Sequence, residues 1–157
     1  MTTKKQSPIK LAEVIQESEK FDVMSTYQLD AENNRVIKYN KYFDHKKIEE
    51  LVLELYEDMK YVVENEIEFF ENDEQLLKYE LLLIIKTFSH FKDEIGSSFD
   101  EKIHALEVLM KIGLYDLFFE EIFDENQVLE VIEQVNLVAE RAIAIESALE
   151  KEKKKIK

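Results

Sequence analysis

Asp44-His-Lys-Lys-Ile-Glu-Glu-Leu-Val-Leu-Glu-Leu-Tyr-Glu-Asp-Met-Lys-Tyr-Val-Val63 decides the fold class. Its residues Ile48, Leu51, Val52, Leu55, Met59, Val62 and Val63 recur at three- and four-residue spacing, which aligns them on one side of an α-helix. Asp44 stands just before the run, where its carboxylate can accept from the free N–H groups of a first helical turn. The same period governs almost everything downstream.

Asp73 is placed to cap the next helix, whose apolar positions are Leu76, Leu77, Leu81, Ile84, Ile85, Phe88 and Phe91. Leu82 and Leu83 widen that face, as expected of a central helix covered from several sides. Ser98-Phe-Asp-Glu101 has the form of a capping box, opening a helix through Ile103, Leu106, Leu109 and Met110. Gly113 suits its left-handed C-cap. After a short aromatic segment, Leu114 to Phe123, Asp124-Glu-Asn-Gln127 opens the final helix in a similar capping-box manner. There Val128, Val131, Val135, Val138, Ala142, Ile145 and Leu149 alternate by three and four, a coiled-coil seam flanked by Ala139, Ala144 and Ala148. The simpler expectation is a long helix packed on its own domain. The sharper one is that its distal half, beyond about Ala139, meets another chain.

Upstream of Asp44 the pattern differs. Met1 to Ser7 is polar and reads as a flexible end, and Pro8 suits the first position of a short helix bearing Leu11, Val14 and Ile15. Phe21, Val23, Ser25, Tyr27 and Leu29 then alternate with a period of two, and Val36 to Tyr39 repeats this weakly. Asp30-Ala-Glu-Asn-Asn34 between them is turn chemistry, so a β-hairpin is expected over about 21–39. The predicted fold is mainly α: a compact bundle of about five helices with this small N-terminal hairpin and a long C-terminal helix. Residues 8–150 form a single helical domain between the flexible 1–7 and a basic tail, 151–157.

Composition agrees. Two glycines and one proline in 157 residues are too few for a turn-rich β architecture. The absence of cysteine excludes disulfides and thiolate metal sites. The longest apolar run, Leu81 to Ile85, is far short of the ~20 residues of a membrane span, and Met1 to Lys10 lacks the apolar stretch of a secretory signal. Residues 48–150 hold 27 acidic and 7 basic side chains, a local charge of −20 against −14 for the whole chain. Such a surface repels nucleic acid and anionic lipid, so neither is an expected partner.

Catalytic patterns are near misses. Glu101-Lys-Ile-His104 has the spacing of a di-iron bundle ligand pair, but His90 is preceded by Thr87 where a second pair needs a glutamate. Both are expected on ordinary surface, as is His45. Glu49, Glu50, Glu54, Glu57 and Asp58 resemble the magnesium site of all-α nucleotide pyrophosphohydrolases. The third glutamate of that motif comes one residue late, ~100° round the helix. A solvated acidic face is the simpler reading. Gly96 and Gly113 cannot make a phosphate-cradling loop. The chain is expected to be no enzyme and to need no cofactor or metal.

Val36-Ile-Lys-Tyr-Asn-Lys-Tyr-Phe-Asp-His-Lys-Lys-Ile-Glu-Glu-Leu51 resembles a pattern of tail assembly chaperones from long-tailed phages and prophages of Gram-positive bacteria. There an extended segment ends in an aromatic-Phe-Asp step and opens a Lys/Glu-rich helix. Leu82-Leu-Ile-Ile-Lys-Thr-Phe-Ser-His-Phe91 and Ala105 to Phe118, with Gly113-Leu-Tyr115, extend the similarity over roughly 35–150. The resemblance implies a helical oligomer of the host cytoplasm. It would bind the tape measure protein and help the tail tube protein polymerise around it. Val131, Val135, Val138, Ala142, Ile145 and Leu149 are then the candidates for self-association or client binding. Leu114, Tyr115, Phe118 and Phe119 form a second candidate patch. The family's messages often shift frame near the end of the shorter product, and Lys153-Lys-Lys155 requires the A-rich codons of a slippery site. The alternative from another class is an acidic DNA-mimic inhibitor of a DNA-binding protein.

Overall fold

A computed structural model describes residues 5–70 and 72–156, the side chains of 139–150 and 155–156 excepted. In chain order the elements are α1 (Leu11–Ser18), β1 (Met24–Asp30), β2 (Arg35–Asn40), α2 (His45–Glu64), α3 (Asp73–Phe88), α4 (Phe99–Lys111), α5 (Leu114–Leu117) and α6 (Glu125–Ile156). Single 3-10 turns at Glu19–Asp22 and His90–Asp93, and a π turn at Phe118–Ile122, join them. The protein is mainly helical with one small antiparallel hairpin, as the two periodicities predict.

Short polar side chains set the helix starts. The Asp44 carboxylate accepts from Lys46 N at 2.9 Å. For α3 the cap is Asn72, not Asp73: its side-chain oxygen accepts from Glu74 N at 2.8 Å, and its backbone is the extended one. Ser98 Oγ accepts from Glu101 N at 3.2 Å, while the Glu101 carboxylate takes the Ser98 hydroxyl at 2.9 Å, a side-chain variant of the expected box. Gly113 has φ 81°, the left-handed cap foreseen for it. Two boundaries differ. α1 begins at Leu11, so Pro8 lies outside it. α3 ends at Phe88 because Ser89 turns extended and its hydroxyl donates to Ile85 O at 2.6 Å, leaving Phe91 on the following turn.

The core is organised round α3. Tyr79, Leu82, Leu83, Ile84, Ile85 and Phe88 are all fully buried, which is why its apolar face is so broad. α2 brings Ile48, Leu51, Leu55 and Val62 to it, α4 brings Leu106 and Leu109, and α6 brings Val128, Val131 and Val135. Each such side chain contributes roughly 1.5–3 kcal/mol by leaving water. Val63, Leu77 and Met110 sit at the margins of their stripes and remain exposed. Phe43 stacks on Phe88 with ring centroids 3.9 Å apart and meets Phe123 edge-on at 5.3 Å. Phe69, Phe70, Tyr79 and Phe99 form a second aromatic cluster where α2, α3 and α4 converge.

The hairpin rests on this body by one face. Tyr27 pairs with Ile37 and Ser25 with Tyr39, and these are the inward positions. The alternation expected over Phe21 to Leu29 is shorter than predicted. β1 starts only at Met24, leaving Val23 exposed, and a register shift between Gln28 and Asp30 turns Leu29 outward. At the turn Asp30 accepts from Asn33 Nδ2 at 2.7 Å and from Arg35 Nη2 at 3.1 Å, which holds its carboxyl below the usual range. Asn34 adopts φ 52°. Lys38 N donates to His90 Nδ1 at 3.2 Å and the Tyr27 hydroxyl donates to Glu121, tying the hairpin to the helices.

Candidate functional site

The candidate residues of α6 divide by position. Val131 and Val135 are 1% and 2% exposed and belong to the core of their own chain. Val138 is exposed. Ala142, Ile145 and Leu149 lie outside the described side chains. Gln127 does not complete the expected capping box. Its amide Nε2 donates to Lys41 O at 2.7 Å and its Oε1 accepts from Phe43 N at 2.8 Å, so it pins the segment before α2 onto α6.

The second patch is mostly interior. Phe118 and Tyr115 are buried, while Leu114 and Phe119 are half-buried. Phe118 packs against Phe123 with centroids 5.2 Å apart and against Phe91 at 6.1 Å, and Tyr115 meets Phe119 at 5.3 Å. These four side chains build the wall between α5 and the core, with only Leu114 and Phe119 reaching water.

Open apolar surface lies elsewhere. Val135 and Val138 face α2 across a groove of about 250 Å³, completed by Val52, Leu53, Leu55, Tyr56 and Met59. Among the described residues no charged side chain lines it. Leu53, 65% exposed, and Tyr56 stand on its outer edge. Sequence reasoning passed over both, although Leu53, Tyr56 and Val63 make a second stripe on α2 at spacings of three and seven.

The acidic face of α2 is only partly solvated. Glu49, Glu50 and Glu57 are exposed as expected, but Asp58 is buried. Lys102 Nζ lies 2.8 Å from Asp58 Oδ2 and 3.4 Å from Glu54 Oε1. The Tyr79 hydroxyl donates to Asp58, and Lys86 donates to Glu54. Burial, with Asp58 alongside, pushes the Tyr79 phenol up and keeps it a donor. Two carboxylates of the pyrophosphohydrolase-like set are thus paired with lysines. Glu80, on α3, is 4% exposed, and burial raises its carboxyl to about 7. His45, Glu101 and His104 are exposed. Among the described residues no group of three or more His, Asp and Glu side chains is placed to hold a metal ion.

A helical body built round one buried helix, with an internal charge network and an apolar groove on its surface, defines the class to which the geometry points: a mainly helical protein with open apolar surface. The chain belongs to the YomO family, whose model matches residues 11–157. That family is phage- and prophage-associated, in agreement with the coarser part of the resemblance; its name carries nothing about tail assembly. No curated protein and no solved structure matches the chain. Among the described residues no helix is long and apolar enough to cross a membrane.

Proposed function

We propose that this chain is a non-enzymatic holding protein of phage tail assembly. It binds the tape measure protein in the host cytoplasm and helps tail tube protein assemble around it. The observation that supports the reading is the groove between α2 and α6, lined by Val52, Leu55, Met59 and Val138 among others, with Leu53 exposed at its edge. A long amphipathic client lays apolar side chains at three- and four-residue spacing into such a groove. The strongly acidic remainder of the surface keeps a client complex in solution. In this reading Ala142, Ile145 and Leu149, further along the sequence of α6, serve self-association or the same client. Neither cofactor nor metal is needed.

The experiment is co-expression with the products of the genes immediately downstream. The reading expects a large helical neighbour, insoluble alone, to be recovered with this chain. Leu53→Glu should abolish that recovery while the fold persists. An acidic DNA mimic would instead capture basic DNA-binding proteins, would lose them as salt rises, and would be indifferent to Leu53→Glu.

A further inference from the structure

We infer that His90 is an acid-sensitive latch on the outer edge of the hairpin: its neutral imidazole holds β2 against the end of α3, and its imidazolium lets that edge go. The inference stands on the hairpin and the turn after α3, independently of the tail-assembly reading.

β2 is held from both sides. One edge pairs with β1, and on the other Tyr39 forms a single antiparallel bridge with Ser89, where the chain leaves α3 in extended form. At His90 the backbone winds into the 3-10 turn His90–Asp93, so this outer partner is cut short. Lys38 N, beside the bridge, meets the imidazole instead: His90 Nδ1 accepts from it at 3.2 Å. A side chain thus supplies the acceptor that a longer strand would supply as a carbonyl. The ring is braced for this, packed on Phe91 with centroids 4.4 Å apart, and Phe91 in turn meets the buried Phe118 at 6.1 Å.

The contact needs the neutral ring. An accepting Nδ1 must carry a lone pair, so the ring hydrogen sits on Nε2, which lies 3.8 Å from Glu94 Oε2. Protonation puts a hydrogen on Nδ1 as well and sets two donors against each other. Compensation is small: the Nε2 hydrogen is present in both forms, and Glu94, 63% exposed, offers a weak surface pairing. The other ionisable side chains nearby in the chain are Lys92 and Asp93 on the same turn and Lys38 and Tyr39 on β2. At the end of α3, Lys86 is taken by Glu54.

The sign follows. The latch is closed above, and released below, the interval of about pH 5 to 8 in which a histidine ordinarily changes charge. The hairpin itself stays docked, because Ile37 is 1% exposed and the Tyr27 hydroxyl donates to Glu121. What opens is the outer edge of β2 at Lys38.

Hydrogen exchange of the Lys38 amide, followed by NMR at pH 8 and pH 5 and scaled to the rate of an unstructured peptide, tests this on the whole chain. Protection should be at least fivefold lower at pH 5, following the His90 ring resonances, while Leu83 in the middle of α3 loses none. Glu80 titrates in the same interval with the opposite effect, since burial favours its protonated form. His90→Asn offers a carboxamide oxygen in place of Nδ1 and should keep Lys38 protected at both pH values. His90→Phe keeps a ring against Phe91 without an acceptor and should leave Lys38 poorly protected at both. Protection in the natural chain that stays level from pH 8 to pH 5 overturns the inference. So does an equal loss in His90→Asn, or a His90→Phe chain as well protected at pH 8 as the natural one.

Discussion

Lys102 Nζ lies 2.8 Å from Asp58 Oδ2 inside the core, joining α4 to α2, with the Tyr79 hydroxyl of α3 donating to the same carboxylate. Three helices of the bundle are therefore registered by one charge pair as well as by apolar packing. A buried pair is tolerated because each partner has further contacts: Lys102 also reaches Glu54 at 3.4 Å. Removing one partner is the costly change. Lys102→Ala strands Asp58 without a cation and should destabilise the fold by roughly 3–5 kcal/mol in urea unfolding. The triple variant Lys102→Met/Asp58→Leu/Tyr79→Phe should recover most of that loss, because neither a buried charge nor the Tyr79 hydroxyl, which donates to Asp58, is left unpaired there.

Glu80 gives stability a pH dependence of a definite sign. Its folded carboxyl titrates at about 7 and its unfolded one near the ordinary 4.5, so the folded state holds the proton more tightly. Its contribution is greatest below the unfolded value and is lost as pH rises from about 4.5 to about 7. Glu80→Gln removes this penalty. At pH 8 the variant should be more stable than the natural chain by about 2–3 kcal/mol, and the advantage should shrink toward pH 5. Chemical unfolding of both proteins at several pH values checks it.

Gln127 couples the start of α6 to the segment that leads into α2. With Gln127→Ala the partly buried Phe43 N–H loses its acceptor at 2.8 Å and Lys41 O loses its donor at 2.7 Å. A cost of about 1–3 kcal/mol is expected, the penalty of a buried polar group left without a partner. Hydrogen exchange should show the Phe43 amide losing protection more than amides in the middle of α3.

What was legible in the sequence was whatever depends on period and local chemistry. The stripe of α2, the broad face of α3, the Ser98 cap and the left-handed Gly113 are all written within a few residues of themselves. The Asp58–Lys102 pair was not, because a charge at an interior position of one helix looks like any solvated charge until the facing helix is known. Gln127 misled for a related reason: a glutamine three residues after an aspartate can close a cap, but here the Lys41–Phe43 segment competes for its amide and wins. Val131 and Val135 were visible as an apolar seam, yet no spacing rule says whether a seam faces its own core or another chain. Leu53 and Tyr56 escaped because α2 carries two apolar stripes and the longer one drew the reading.

The central claim is that this phage-associated chain holds an apolar helical client at the α2–α6 groove. Leu53 is exposed, so Leu53→Glu should change stability by no more than about 0.5 kcal/mol. The most direct measurement is paired co-expression of the natural chain and Leu53→Glu with the large helical product encoded downstream, with the soluble complex quantified by size exclusion and light scattering. The account predicts a soluble complex with the natural chain and an aggregated client with the variant. A client that stays insoluble with both chains, or is held equally well by both, would contradict it.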